Sequence, residues 1–483
     1  MTLLKIFSLI GLLMYFMLLL FAVTKEKKNH SVLDYFFAGR SLPYWALSIT
    51  FIASWWGAGS ALSTADLAYE DGLGAFWYYG VPVLISTFLM ILCAGGIRRV
   101  GYLTQGRMME ARYSKGTAKL LSLLVLFFMV FNAASQMVGV GDFFGSYLGL
   151  SYESAVLLGT TIVLIYSMFG GFRGVVLTDI IQFVLLLISA LIVFVVGFSH
   201  AGGLEGIRNT AQVAGKINYL NMGAGASKYS MYVITFGCAW MIQANVWQRI
   251  SAARSDHDAR KMTVMSFFAY IPLYLMVVFT GMSGLALYSE MPEGGIVTAL
   301  VTDYLSPILG ALVFIGISAA IMSTMDSLLN TASMTLVLDL LPANLDEKKQ
   351  LNRSRMTTLG VTAIALVISM GIRSILKISW MASDIITTGV FVPLVMGFFW
   401  RRGNSRGALA SIGTGFVYCI YNLIISFGVP LPSFWKAQSA QQVILGVVLS
   451  FIVYVGVSLA TPPEFERADA FLQKVGFGKK KEY

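Results

Sequence analysis

The sequence predicts an all-α, polytopic membrane protein. Of its 483 residues, 57% are apolar and only 12% are charged, and the mean hydropathy is +0.75. A soluble globular domain carries a charged fraction of about 25%. Apolar runs of roughly twenty residues, the length that crosses a bilayer as a helix, recur along the whole chain. These observations favour a single transmembrane domain without a separate soluble one.

The apolar runs predict about thirteen spans. The first, residues 1–23, is followed by Lys25, Lys27 and Lys28 and has no small-residue cleavage pattern. We therefore expect a retained helix rather than a signal peptide. The remaining spans are expected at residues 42–64, 76–97, 120–146, 152–171, 174–199, 229–248, 262–288, 307–340, 356–374, 378–400, 406–427 and 441–461.

The basic residues predict the orientation of these spans. Most lysines and arginines fall in alternate connecting segments, namely 24–41, 98–119, 172–174, 249–261, 341–355, 401–406 and 462–483. By the positive-inside rule these segments are cytoplasmic, which places the N-terminus outside and the C-terminus inside. The basic tail, with Lys479–Lys481, is expected to contact anionic lipid. Short loops and tails favour a bacterial inner membrane.

The remaining composition disfavours several other classes of protein. The net charge of +10 comes mainly from lysines and arginines in the connecting loops, so it does not indicate a surface that binds nucleic acid. Each of the three cysteines, Cys93, Cys238 and Cys419, falls inside a predicted span, which argues against a disulfide framework. The spans show neither a nucleophile–base pair nor a metal-ligand cluster, so an enzyme is not expected. Nothing indicates an obligate protein partner.

The strongest functional signal lies in the span 307–340. At helical spacing, one stripe carries small and hydroxyl residues beside an acid: Ala320, Ser323, Thr324, Ser327 and Thr331, flanked by Asp326. A carboxylate at membrane depth is costly and usually faces protein, water or an ion. Hydroxyls beside it are hard oxygen ligands of the kind that Na⁺ takes. Alternatively, the hydroxyls pack helices together and bond to backbone carbonyls.

Two spans are expected to be interrupted at corresponding places. The second span has Gly57 and Gly59 in mid-membrane, and its counterpart in the second half carries a glycine and two amides: Gly237, Gln243 and Asn245. Such segments in two halves of a transporter indicate broken helices around a midplane site, where unwound carbonyls can bind a cation. The alternative is a small-residue packing face.

Two further acids fall inside spans. Asp179 follows the turn at Arg173 by about one and a half helical turns. It is a candidate cation ligand or a carboxylate that pairs near the interface. Asp384 lies near the outer end of its span and is a candidate gate, a counter-charge for a solute, or an interfacial residue.

These motifs resemble the sodium/solute symporter family over nearly the whole chain. The residues that carry the resemblance are Tyr35–Arg40, Tyr166–Gln182, Ile317–Ser327 and Pro393–Ala408. The resemblance implies a LeuT-type fold with a 5+5 inverted repeat. It assigns a leading helix to 1–23, the first repeat to 42–199, the second to 229–400, two closing helices to 406–461 and a basic cytoplasmic tail to 462–483.

The resemblance also implies that Na⁺ is the coupling ion. Its main site would comprise the carbonyls of Ala53, Trp56 and Ala320 with the hydroxyls of Ser323 and Thr324. A second Na⁺ site of some members would correspond here to Asp179, Ser323, Asp326 and Ser327. Those members carry a hydroxyl where this chain has Asp326, so proton binding at Asp326 is an alternative.

Within the family, the segments 53–59, 246–249 and 325–327 resemble the high-affinity choline transporters. Trp55 matches an aromatic residue of their ammonium cage, but the other cage positions correspond to the non-aromatic Val83, Asn132 and Gln243. A smaller polar solute, an amino acid or zwitterion, is therefore favoured over choline. The implied solute pocket comprises Trp55, Gly59, Tyr78, Tyr79, Asn132, Gln136, Gln243 and Trp247.

The resulting functional prediction is Na⁺-coupled symport of a small polar organic solute into the cell by alternating access. A proton-coupled symporter of the same fold and a sodium- or solute-responsive membrane sensor are the alternatives.

Overall fold

The computed structural model of the protein describes residues 2–25, 31–342, 347–426, 428–432 and 440–476, and its named elements are all helices. The first ten are α1 Leu3–Lys25, α2 Val32–Phe37, α3 Tyr44–Ala53, α4 Thr64–Asp71, α5 Phe76–Val100, α6 Gln105–Arg112, α7 Lys115–Leu148, α8 Tyr152–His200, α9 Gly203–Val213 and α10 Gly225–Met241. The others are α11 Ala244–Ala252, α12 Asp256–Leu287, α13 Ile296–Tyr304, α14 Pro307–Thr335, α15 Glu347–Gly371, α16 Ile375–Gly389, α17 Phe391–Gly397, α18 Ser405–Ser426, α19 Ala440–Ala460 and α20 Phe465–Val475.

Over the described ranges, 9 helices are long and apolar enough to cross a membrane, or up to 10 if the bent pair α16 and α17 is one span. The other predicted spans coincide with shorter helices: α3, the first half of α8, and α10. The predicted total of about thirteen is not reached by length and composition alone, and it stays a prediction.

The interruptions occur where small or polar residues weaken the helices. The helix α3 ends at Ala53, and helical geometry resumes around Gly59 in a π-helical turn. The helix α10 ends at Met241 and α11 begins at Ala244. Gly171, with φ 54° and ψ −162°, divides α8 into two halves, and glycine adopts this conformation without strain.

The helices pack in two main groups. In the first, α5 packs on α10 and α12, and α12 also contacts α3 and α4. In the second, α14 packs most extensively on α8 and α7, and its residues from Gly316 to Thr335 are all buried. The break after α3 faces α14, so it lies where the two groups meet.

Two segments expected on the cytoplasmic side form helices. The sequence places Arg249 at the start of the connecting segment 249–261, and this expectation is wrong because the residue lies in α11 and is fully buried. In the predicted tail, residues 465–475 form α20, which packs on α5 and α6. Lys479–Lys481 lie outside the described residues.

Candidate functional site

The candidate site begins at the break after α3. The carbonyl of Ala53 accepts a hydrogen bond from the Thr324 hydroxyl of α14 at 3.0 Å, and that hydroxyl also lies 3.3 Å from the Ala320 carbonyl. Three of the oxygens expected to bind Na⁺ therefore meet in the interior. Ser323 is also buried, and its hydroxyl donates to Asp179. The Trp56 side chain packs on an aromatic ring of α12, with its backbone in the unwound segment.

Gln136 of α7 holds the unwound segment from the other side. Its Oε1 accepts a hydrogen bond from the backbone N–H of Ala58 at 2.8 Å. A Cβ placed on Gly57 would lie 2.1 Å from this Oε1 and 3.1 Å from the Thr324 hydroxyl. The backbone thus approaches α7 and α14 as closely as it does because residue 57 has no side chain.

A cavity of about 30 Å³ lies beside this break. Six of the eight residues expected to bind solute line it: Trp55, Gly59, Tyr79, Asn132, Gln136 and Gln243. The same wall includes Trp240, Ser379 and Thr324, so the cavity borders the oxygens around Ala53 directly. This volume holds only one or two water molecules, so a solute requires the lining side chains to move.

Two of the residues expected in this pocket lie elsewhere. Tyr78 packs against Tyr79 and Tyr232, with ring centroids 4.6 and 5.0 Å away, and does not line the cavity. Trp247 donates its indole N–H to the Met241 carbonyl at 2.7 Å and lines a different cavity. Both face neighbouring helices because helical geometry turns adjacent side chains about 100° apart.

Trp55 joins the two broken helices. Its indole N–H donates to Oε1 of Gln243, which lies at the break between α10 and α11. Its ring lies 6.0 Å from each of the rings of Trp240 and Tyr270. Sequence reasoning missed these two aromatic neighbours. Trp240 could have been found, since it lies three residues before Gln243, one helical turn from the break.

The expected second cation site contains a residue that sequence reasoning missed. Asp179 accepts hydrogen bonds from Thr50 and Ser323, and Arg249 forms an ion pair with it at 3.4 Å. Arg249 also donates to the Ser327 hydroxyl at 2.6 Å. Both side chains of the ion pair are completely buried. Two of the four residues expected to hold a second Na⁺, Asp179 and Ser327, thus contact an arginine, and Ser323 bonds to the same carboxylate.

The other two acids lie apart from this cluster. Asp326 hydrogen-bonds to Ser167 of α8, and among the described residues its second oxygen has no hydrogen-bond partner. Asp384 is buried within α16 rather than at its end, and its Oδ1 accepts from Thr235 of α10 at 3.1 Å. It does not line the cavity, so the gate assignment stays a prediction.

Comparison with known proteins adds three findings. The family model described as the sodium:solute symporter family matches residues 35–415. The chain is 24% identical to the osmoregulated proline transporter OpuE of Bacillus subtilis, over 94% of each chain, and 24% identical to the high-affinity choline transporter 1 of Caenorhabditis elegans, over 79% of this chain and 69% of the relative. The solved structure of a Na⁺-coupled sialic acid symporter superposes with a TM-score of 0.80 at 17% identity, covering 96% of this chain and 98% of the other. The structural match supports a LeuT-type helical fold.

Proposed function

This chain belongs to the sodium:solute symporter family, and from that premise we propose that it couples Na⁺ entry to uptake of a small polar solute, an amino acid or another zwitterion. The observation that carries the proposal is the 3.0 Å contact between the Thr324 hydroxyl and the Ala53 carbonyl at the broken helix. The ion site we propose contains the carbonyls of Ala53, Trp56 and Ala320 with the hydroxyls of Ser323 and Thr324.

In this mechanism, Na⁺ stabilises one arrangement of the two helix groups. The broken helix belongs to the group of α5, α10 and α12, whereas Thr324 belongs to the group of α7, α8 and α14. An ion bound by oxygens from both groups favours the arrangement in which these oxygens converge. Because the cavity borders Thr324, the ion also organises the wall that contacts the solute. Rocking of the two groups then releases both into a low-sodium cytosol.

The driving force is sufficient for accumulation. One positive charge that crosses 100 mV supplies about 2.3 kcal/mol. A tenfold Na⁺ gradient adds about 1.4 kcal/mol. Together they support roughly a several-hundred-fold accumulation of a neutral solute for each Na⁺ carried.

The cavity wall supports a zwitterionic solute. Three amide side chains and several aromatic rings line it, and its described lining includes no charged side chain. A solute with a net charge would be left uncompensated, whereas a zwitterion brings both charges. The rings of Trp55 and Trp240 offer faces to an ammonium group. The relative named for proline carries a zwitterionic solute of this kind.

The test starts with thermal-shift screening of the purified protein against amino acids and other zwitterions, with and without Na⁺. A solute that stabilises the protein only with Na⁺ is then supplied to proteoliposomes at fixed pH. We expect uptake with an inward Na⁺ gradient and none when K⁺ replaces Na⁺. Uptake that persists in K⁺ would instead indicate proton coupling, and solute binding without uptake would indicate a sensor.

Two matched variants test the pocket. Trp55→Phe and Trp247→Phe each remove one indole hydrogen bond, but only Trp55 lines the cavity. We expect Trp55→Phe to weaken solute affinity about tenfold, because Gln243 loses the hydrogen bond of about 1.4 kcal/mol that fixes its amide in the cavity wall. Trp247→Phe should leave it within about threefold. The reverse result would place the solute elsewhere.

A further inference from the structure

Arg249 occupies the space between the oxygens that a second cation would need. Its Nη2 lies 2.6 Å from the Ser327 hydroxyl, 3.4 Å from Oδ2 of Asp179 and 3.1 Å from the Thr50 hydroxyl. These groups come from α14, α8 and α3, and all are buried. The hydroxyl and carboxylate oxygens that would coordinate an ion therefore already accept from, or lie against, a guanidinium.

The guanidinium is also held on its remaining sides. Its Nη1 donates to the carbonyl of Asn245 at 2.9 Å, and its Cζ lies 5.2 Å from the ring centroid of Phe172. Arginine stays protonated in proteins, so this is a permanent positive charge. A second cation at Asp179 would meet a like charge within a few ångströms in a low-dielectric interior, where repulsion is strong.

We propose that Arg249 is the built-in cation of the second site, so that this transporter binds one Na⁺ per cycle rather than two. The inference rests on the proposed function, since it presupposes Na⁺ at the Ala53–Thr324 site. Arg249 is a positioning residue that neutralises Asp179 and fixes α11 against α3, α8 and α14. Asp179 then contributes to the structure of the second site without being an ion ligand.

The experiment counts Na⁺ on the full-length purified protein, and it needs no knowledge of the solute. Radioactive sodium binding is measured at saturation for the wild type, for Arg249→Gln, and for the double variant Asp179→Asn/Arg249→Gln. Gel filtration and circular dichroism confirm folding of each. We expect one Na⁺ per wild-type chain. Arg249→Gln leaves the Asp179 carboxylate without its cation and should bind two. The double variant removes both charges and should return to one.

Each outcome has a distinct meaning. Two Na⁺ on the wild type would overturn the inference while leaving the proposed function intact. A folded Arg249→Gln protein that still binds one Na⁺ would also overturn it, because the freed oxygens would then not form a cation site. If Arg249→Gln does not fold, the wild-type count decides. No Na⁺ on the folded wild type would overturn the proposed function itself, and the inference with it.

Discussion

Replacing Thr324 with valine tests the Na⁺ site most directly. The substitution exchanges the hydroxyl for a methyl group and keeps the branched shape of a side chain that is only 5% exposed. In the structure this hydroxyl lies 3.0 Å from the Ala53 carbonyl and 3.3 Å from the Ala320 carbonyl. Thr324→Val therefore removes one proposed Na⁺ ligand and the hydrogen bond that holds α14 against the broken helix.

The expected magnitude follows from the loss of one polar contact to a charged ion. Such contacts contribute about 1.5–3 kcal/mol. At about 1.4 kcal/mol per factor of ten, Na⁺ affinity should fall roughly tenfold to 150-fold. The measurement is equilibrium binding of radioactive sodium to the purified variant, which separates ion affinity from a change in melting temperature.

Two controls accompany this variant. Thr324→Ser keeps the oxygen and should bind Na⁺ within about threefold of the wild type. Thr331→Val removes a hydroxyl from the same helix, but that hydroxyl bonds to Gln248 and the Ser327 carbonyl instead. It should leave Na⁺ affinity unchanged. Wild-type affinity in folded Thr324→Val, or equal losses in both valine variants, would refute the site.

Two other substitutions test packing around the site. Gly57→Ala places a Cβ 2.1 Å from Oε1 of Gln136, so this amide must give up its bond to the Ala58 N–H, and Na⁺ binding should weaken about tenfold. Gly360→Ala, with nothing within 4 Å, should leave Na⁺ binding unchanged. Equal Na⁺ titrations of the two variants would contradict the close approach of the Gly57 backbone to α7. Arg112 is buried and donates to three carbonyls at and just beyond the C-terminal end of α17. Arg112→Lys should therefore lower the free energy of unfolding by about 3 kcal/mol in detergent. The exposed Arg401→Lys should change it by less than about 1 kcal/mol, and similar melting temperatures for the two arginine variants would argue against the structural role of Arg112.

The helix breaks could be predicted because their causes are local. Gly57 and Gly59 weaken a helix wherever it packs, and the structure ends α3 just before them. The second break falls at Ile242 and Gln243, inside the segment that the polar residues indicated. The proximity of Ala320 and Thr324 could also be predicted, since residues four apart lie on the same face of a helix.

The partner of Asp179 could not be predicted in the same way. The positive-inside rule counts arginines by their distance from apolar runs, and Arg249 lies just beyond such a run. Whether it turns outward to solvent or inward to a carboxylate depends on where α8 and α14 lie, some 70 and 78 residues away in sequence. The positions of neighbouring helices also explain why Tyr79 lines the cavity whereas its neighbour Tyr78 does not.

The local sequence pattern is enough to predict a helical membrane protein, the positions of its helix breaks and the residues that share a face of α14. These properties follow from hydropathy and helical periodicity, which act over a few residues. Which helix faces meet depends on three-dimensional packing, which brings the Thr324 hydroxyl to the Ala53 carbonyl and the Arg249 guanidinium to Asp179 and Ser327. Such contacts join helices distant in sequence, and their geometry is set by the packing of the whole bundle rather than by any local pattern.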